Sequence, residues 1–172
     1  SSTLIKIQNG YVEADNISAS TNVSSGNLGI IINGGIVKAN SISVYNANGN
    51  ATGTQNLTIN GNAVVFVEEA MTNTAGTNTD KGVEYTKGVV FTGNTGTVYG
   101  SVTLPDDVTI PEGYTLTIPS GASLTVPDGT TLTNEGTIHV SGGTFTNNGT
   151  IENYGTLPSG TGGTILIPAT VT

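Results

Sequence analysis

The sequence predicts an all-β protein wound into a β-solenoid, and three observations carry that reading. Between Val108 and Thr131 one unit occurs three times, with Pro111, Pro119 and Pro127 eight apart and Gly113, Gly121 and Gly129 keeping the same step. The segment before it repeats at an offset of 25, Ile7–Ala19 aligning with Ile32–Val44. The composition favours strands: Val, Ile, Leu and Thr are abundant, and Gly and Asn interrupt every candidate helix. Short repeated strand-and-turn units bury their aliphatics only by stacking on one another, which is how a solenoid forms.

The first run of coils is expected over 1–70. Gly10/Gly35, Val12/Val37, Ala14/Ala39, Ile17/Ile42 and Ser18/Ser43 coincide at the 25-residue offset, and Ile59-Asn-Gly-Asn-Ala-Val-Val begins a third copy. One such repeat fits one turn of a parallel β-helix with two or three strands. Residues 71–95 form an irregular joint. Met71–Lys87 shows no strand pattern and reads as a protruding loop. A second run, 96–172, continues the first with a beat of six to eight residues. After the octads, Gly136-Thr-Ile138, Gly143-Thr-Phe145, Gly149-Thr-Ile151, Gly155-Thr-Leu157 and Gly163-Thr-Ile165 follow. Asn134, Asn147 and Asn153 each stand two positions before a Gly. Three units make a three-sided coil of roughly 18 to 24 residues, with a two-sided roll of about 16 as the alternative. The expected inward rows comprise Val108, Leu116, Leu124, Leu132, Ile138, Phe145, Ile151 and Leu157.

Charge and cysteine content narrow the function classes. The net charge is −8, Arg is absent, and the cations are Lys6, Lys38, Lys81 and Lys87. Nucleic acid and anionic lipid both need clustered cations, so neither is an expected partner. No Cys is present, which removes disulfides and thiolate chemistry and is compatible with an extracellular bacterial protein. No apolar run approaches a membrane span, and no signal peptide is present; a mature chain or a segment of a longer one is expected.

Two stretches resemble repeats of large secreted or cell-surface proteins of gut Firmicutes. Ile30-Ile-Ile-Asn-Gly-Gly-Ile-Val-Lys-Ala is similar to their Ile-x-Gly-Gly-x-Val-x-Ala repeat, and Gly96–Pro119 looks like the module that often follows it. The resemblance implies a right-handed parallel β-helix, an extracellular or cell-surface setting and further domains in a longer parent chain. It assigns no catalytic or binding residue, although some members of these families are labelled carbohydrate-binding.

Candidate chemistry is sparse. Glu68-Glu69 and Asp106-Asp107 are acidic pairs, and Glu13 and Asp15, two apart, face one side of a strand. A polysaccharide-cleaving site would pair such carboxylates with cations that are scarce here, so they read as solvated charges and the protein as no enzyme. His139, the one histidine, alternates outward between Ile138 and Val140. No Gly-x-Ser-x-Gly elbow and no calcium-loop motif accompany it, so no catalytic residue, metal or cofactor is assigned. Thr115/Thr117, Ser123/Thr125, Thr131/Thr133 and Thr144/Thr146 flank inward residues with outward hydroxyls. A flat ladder of them would order water as ice-binding solenoids do, but a three-sided coil places successive units on different faces. Sugar stacking on tyrosine is the sharpest ligand hypothesis. It falls on the joint: Tyr85 and Tyr99 for stacking, Asn78, Asp80 and Glu84 for hydrogen bonds. A non-catalytic structural or adhesive module of a bacterial surface protein is the expected function, with a carbohydrate-binding module as the alternative and a polysaccharide-degrading β-helix enzyme more distant. Glycans or a host surface are the expected partners.

Overall fold

A computed structural model of the chain describes residues 2–77 and 79–166, so Asn78 lies outside the described residues. Among them every regular element is a strand; there is no helix. The strands stack as a β-solenoid, as the repeats predict.

The first run pairs a short strand with a long one in each coil. β1 (Thr3–Ile7) leads to β2 (Tyr11–Thr21), β3 (Leu28–Ile32) to β4 (Ile36–Asn46), and β5 (Gln55–Ile59) to β6 (Val64–Ala75). β7 (Thr79–Asp80), β8 (Glu84–Tyr85) and β9 (Gly88–Thr92) complete it. The 25-residue sequence offset is the stacking register itself. Val12 lies on Val37, Ala14 on Ala39, Ile17 on Ile42 and Ser18 on Ser43, all parallel. Several corners are too tight for a side chain. A Cβ at Gly61, whose φ is +66°, would sit 1.9 Å from the Asn33 carbonyl of the coil beneath.

The second run has three strands per coil. β10 (Thr95–Tyr99), β11 (Ser101–Thr103) and β12 (Val108–Ile110) are followed by β13 (Thr115–Pro119), β14 (Ser123–Val126) and β15 (Thr131–Asn134). Then come β16 (Thr137–Ser141), β17 (Thr144–Asn147), β18 (Thr150–Asn153) and β19 (Thr164–Leu166). Each octad ends in a turn whose last amide returns to the proline carbonyl: Tyr114 to Pro111, Ala122 to Pro119, Thr130 to Pro127. The expected rows form. Leu116 stacks on Ile138, Leu124 on Phe145, and Val108 on Leu132 and then Ile151. Leu157 packs against the same core. Thr131 therefore lies under Thr150 and Thr115 under Thr137; the Thr115–Thr131 alignment of a two-sided roll does not form. The outer face of β11, β14 and β17 does carry two hydroxyl columns, Ser101–Ser123–Thr144 and Thr103–Thr125–Thr146, because units three apart stack.

One sheet joins the runs. Its order is β16-β13-β10-β9-β6-β4-β2, with β7 paired to β6. All its neighbours are parallel except β9–β10, a hairpin closed by Gly93-Asn94, and β6–β7. The hairpin reverses strand direction, and the two cores lie on opposite faces of the shared sheet. Val37, Ala39, Val65, Val67 and Val90 face the first core, against the sheet of β1, β3, β5 and β8. Their chain neighbours Ile36, Val64, Val89 and Phe91 belong to the second. Alternation along a strand sends adjacent residues to opposite faces, so these strands are apolar on both.

Strand structure reaches further into the joint than its composition predicts. β6 continues through Met71, Thr72, Asn73 and Thr74 to Ala75, stacked residue for residue on Ile42–Asn46. Only Gly76 and Thr77 form the described part of a turn before β7 pairs back antiparallel. The missing apolar alternation is replaced by stacking and by a buried amide: Asn73 Nδ2 donates to the Gln55 and Gly82 carbonyls at 3.2 and 2.9 Å.

Candidate functional site

The predicted joint brings Tyr85 and Tyr99 together. Their rings stack with centroids 4.9 Å apart and planes 11° from parallel. Both are half-buried, and both pack against the first core beside Val83. Alternation explains the meeting: Val98 points into the second core, so Tyr99 points to the other face, toward Tyr85 on β8. Burial, and then the neighbouring Tyr99, raises the Tyr85 phenol above its ordinary pKa. The exposed carboxylates serve their own turns. Asp80 Oδ1 accepts the Gly82 amide at 2.8 Å, and Thr86 Oγ1 donates to Glu84 Oε1 at 3.5 Å. One face of each ring is thus covered by the other ring.

A concavity lies on the opposite face of the shared sheet. It encloses about 560 Å³ and adjoins a hollow of about 320 Å³; Lys38 and Phe66 line both. Its floor is the side of β2, β4 and β6 that faces away from the first core. Register sets that floor: Glu13 lies beside Lys38, and Lys38 beside Phe66. Its wall comes from the second run, where Pro111 and Tyr114 of the first octad turn overhang one end and Asp106 and Asp107 the other. The cleft exists because the hairpin puts the second core over β9 and part of β6 while leaving the outer parts of β2 and β4 uncovered.

Aromatic groups run through this site. Phe66 stacks on Phe91 at 4.6 Å with planes 1° apart, and Phe91 meets Tyr114 at 5.9 Å and 52°. Tyr11 is 56% exposed. Its hydroxyl donates to Glu13 Oε2 at 2.5 Å, and this bond is the leading cause of its raised pKa. The Lys38 ammonium sits 5.7 Å from the Tyr11 ring centroid and 5.4 Å from that of Phe66, within cation–π range of both.

All but Glu69 of the carboxylates read as solvated charges in the sequence line these hollows. Glu13 and Asp15 share one face of β2, as alternation predicts, and both line the cleft. Glu68 lines it too, from the step where the β4–β6 register shifts between Ala39 and Ser41. Two residues, Glu68 and Glu69, oppose one there, as in a β-bulge. Asp106 and Asp107 complete the set from the facing loop. Each already holds a backbone amide at 2.8 Å, that of Asp107 for Asp106 and that of Thr131 for Asp107. Among the described residues, no three of His, Asp or Glu converge as a metal site would require. His139 is exposed on β16.

No family model, curated protein or solved structure matches this chain. The likeness to surface-protein repeats rests on the residues quoted for it alone.

Proposed function

We propose that this chain is a non-catalytic adhesive module of an extracellular bacterial surface protein, and that its contact chemistry is glycan binding in the cleft beside Lys38. The observation that carries this reading is the meeting of half-exposed aromatic rings with carboxylates and an amide in one concave site. A sugar ring presents an apolar face to Tyr11 or Tyr114 and hydroxyl edges to Glu13, Asp15 and Asn40, which line the larger of the two hollows. The cleft is preferred to the Tyr85–Tyr99 joint because those two rings already occupy each other. Weak affinity is expected, roughly millimolar to tens of micromolar, since an open site leaves its polar groups competing with water.

A spacer role without ligand is the second reading, supported by the hydroxyl-covered outer face of β11, β14 and β17. A glycan array, followed by calorimetry on the best hit, separates the two. Binding that falls at least several-fold in Tyr11→Ala and is unchanged in Tyr85→Ala is the expected result. Loss in Tyr85→Ala or Tyr99→Ala alone would move the site to the joint. Reducing ends released from a polysaccharide and abolished by Glu68→Gln would make the protein an enzyme.

A further inference from the structure

We infer that the ligand of the cleft is cationic: a saccharide bearing free amino groups, such as an oligomer of unacetylated glucosamine. The inference rests on the glycan reading above and adds the charge of the ligand. Glu13, Asp15, Glu68, Asp106 and Asp107 line the two adjoining hollows, against Lys38 as the cation there. An anionic sugar entering this cleft meets repulsion from several sides. A protonated amino sugar meets several carboxylates on the floor and wall, within a protein of net charge −8 that draws cations from a distance.

Lys38 supplies the independent observation. Its ammonium already rests between the rings of Tyr11 and Phe66, beside Glu13 in the strand register. That is the place an amino sugar would take: its ammonium against the same rings, with its pyranose face along them and the Glu13 strand position next to it. Lys38 therefore acts as a tethered stand-in for the ligand, and a cationic ligand must displace it. A neutral or anionic ligand would instead use Lys38 as a contact. The two cases give opposite signs when the lysine charge is removed.

The test titrates the purified chain, by calorimetry at a pH where the amine is protonated, with four probes. These are a fully deacetylated glucosamine hexamer, its fully N-acetylated counterpart, a neutral glucose hexamer of the same linkage, and penta-lysine. The deacetylated hexamer should bind best, and its affinity should fall by about tenfold between low and high salt as the carboxylate contacts are screened. Lys38→Met keeps the apolar stem over the rings and should tighten that binding several-fold. Glu13→Gln and Glu68→Gln, both at solvent-facing positions, should weaken it. Weaker binding in Lys38→Met overturns the stand-in role and with it the cationic ligand. Equal, salt-insensitive binding of the neutral hexamer overturns the charge inference while leaving the glycan reading in place. Binding of none of the saccharides overturns both. Penta-lysine binding as tightly as the amino-sugar hexamer overturns the saccharide assignment in favour of a basic peptide.

Discussion

At the scale of single residues, glycines decide where the backbone can pass and where rings can lie. Gly96 faces the second core, and a Cβ there would lie 2.4 Å from the Phe91 ring. That ring is buried and pinned against Phe66, so it cannot give way. Gly96→Ala should therefore cost about 1–3 kcal/mol through overpacking, outweighing a gain of about 0.4–1 kcal/mol from a stiffer unfolded chain. Gly162, with open space around its Cβ position, should tolerate Ala with no loss. Urea denaturation of both variants checks the contrast; equal midpoints would mean that the Phe66–Phe91 stack is looser than its geometry. Buried amides work in the same economy of contacts. Asn134 Nδ2 donates to Asn153 Oδ1 and to the Thr156 carbonyl at 2.9 and 3.0 Å, while Asn147 and Asn153 each accept, at Oδ1, the amide of the Gly two residues on, at 3.1 and 3.3 Å.

At the scale of elements, the shared sheet is the part that both runs depend on. β9 has paired strands on both edges and a core on each face. β6, β9 and β10 should accordingly show the slowest amide exchange in the molecule, while β1 and β19, paired on one edge only, should exchange first. Exchange from β9 as fast as from β1 would show that the runs open independently across the hairpin. The strands of both runs were legible because stacking demands an aliphatic at each repeat, and register followed from aligning Ile7–Ala19 with Ile32–Val44. The reversal between the runs was also written in the chain: Gly93-Asn94 between Val89-Val-Phe-Thr and Thr95-Gly-Thr-Val is a two-residue hairpin signal. Val64-Val-Phe-Val likewise states that both faces of its strand are covered. By contrast, Thr72-Asn-Thr74 reads as loop because nothing local marks it; its strand is imposed by Ser43, Val44 and Tyr45 beneath. The cleft was half legible. Alternation puts Glu13 and Asp15 on one face, but their meeting with Asp106 and Tyr114 spans about a hundred residues and follows only from the hairpin and the opposed cores.

At the scale of the whole molecule, the direction of its hydrogen bonds has a mechanical consequence. β2 lies at one edge of the shared sheet and β16 at the other, and the bonds between coils point along the line that joins them. Tension along that line loads the outermost coil alone, one bond after another, so the molecule unzips instead of shearing. The coils of the first run release 25 to 28 residues, the steps from Thr3 to Leu28 and from Ile36 to Val64, or roughly 80 to 90 Å of contour at about 3.3 Å per residue. Optical-trap extension should show a low-force sawtooth with increments of that order, and a single high-force rupture would contradict it. A chain that yields in this way would absorb a sudden load by lengthening.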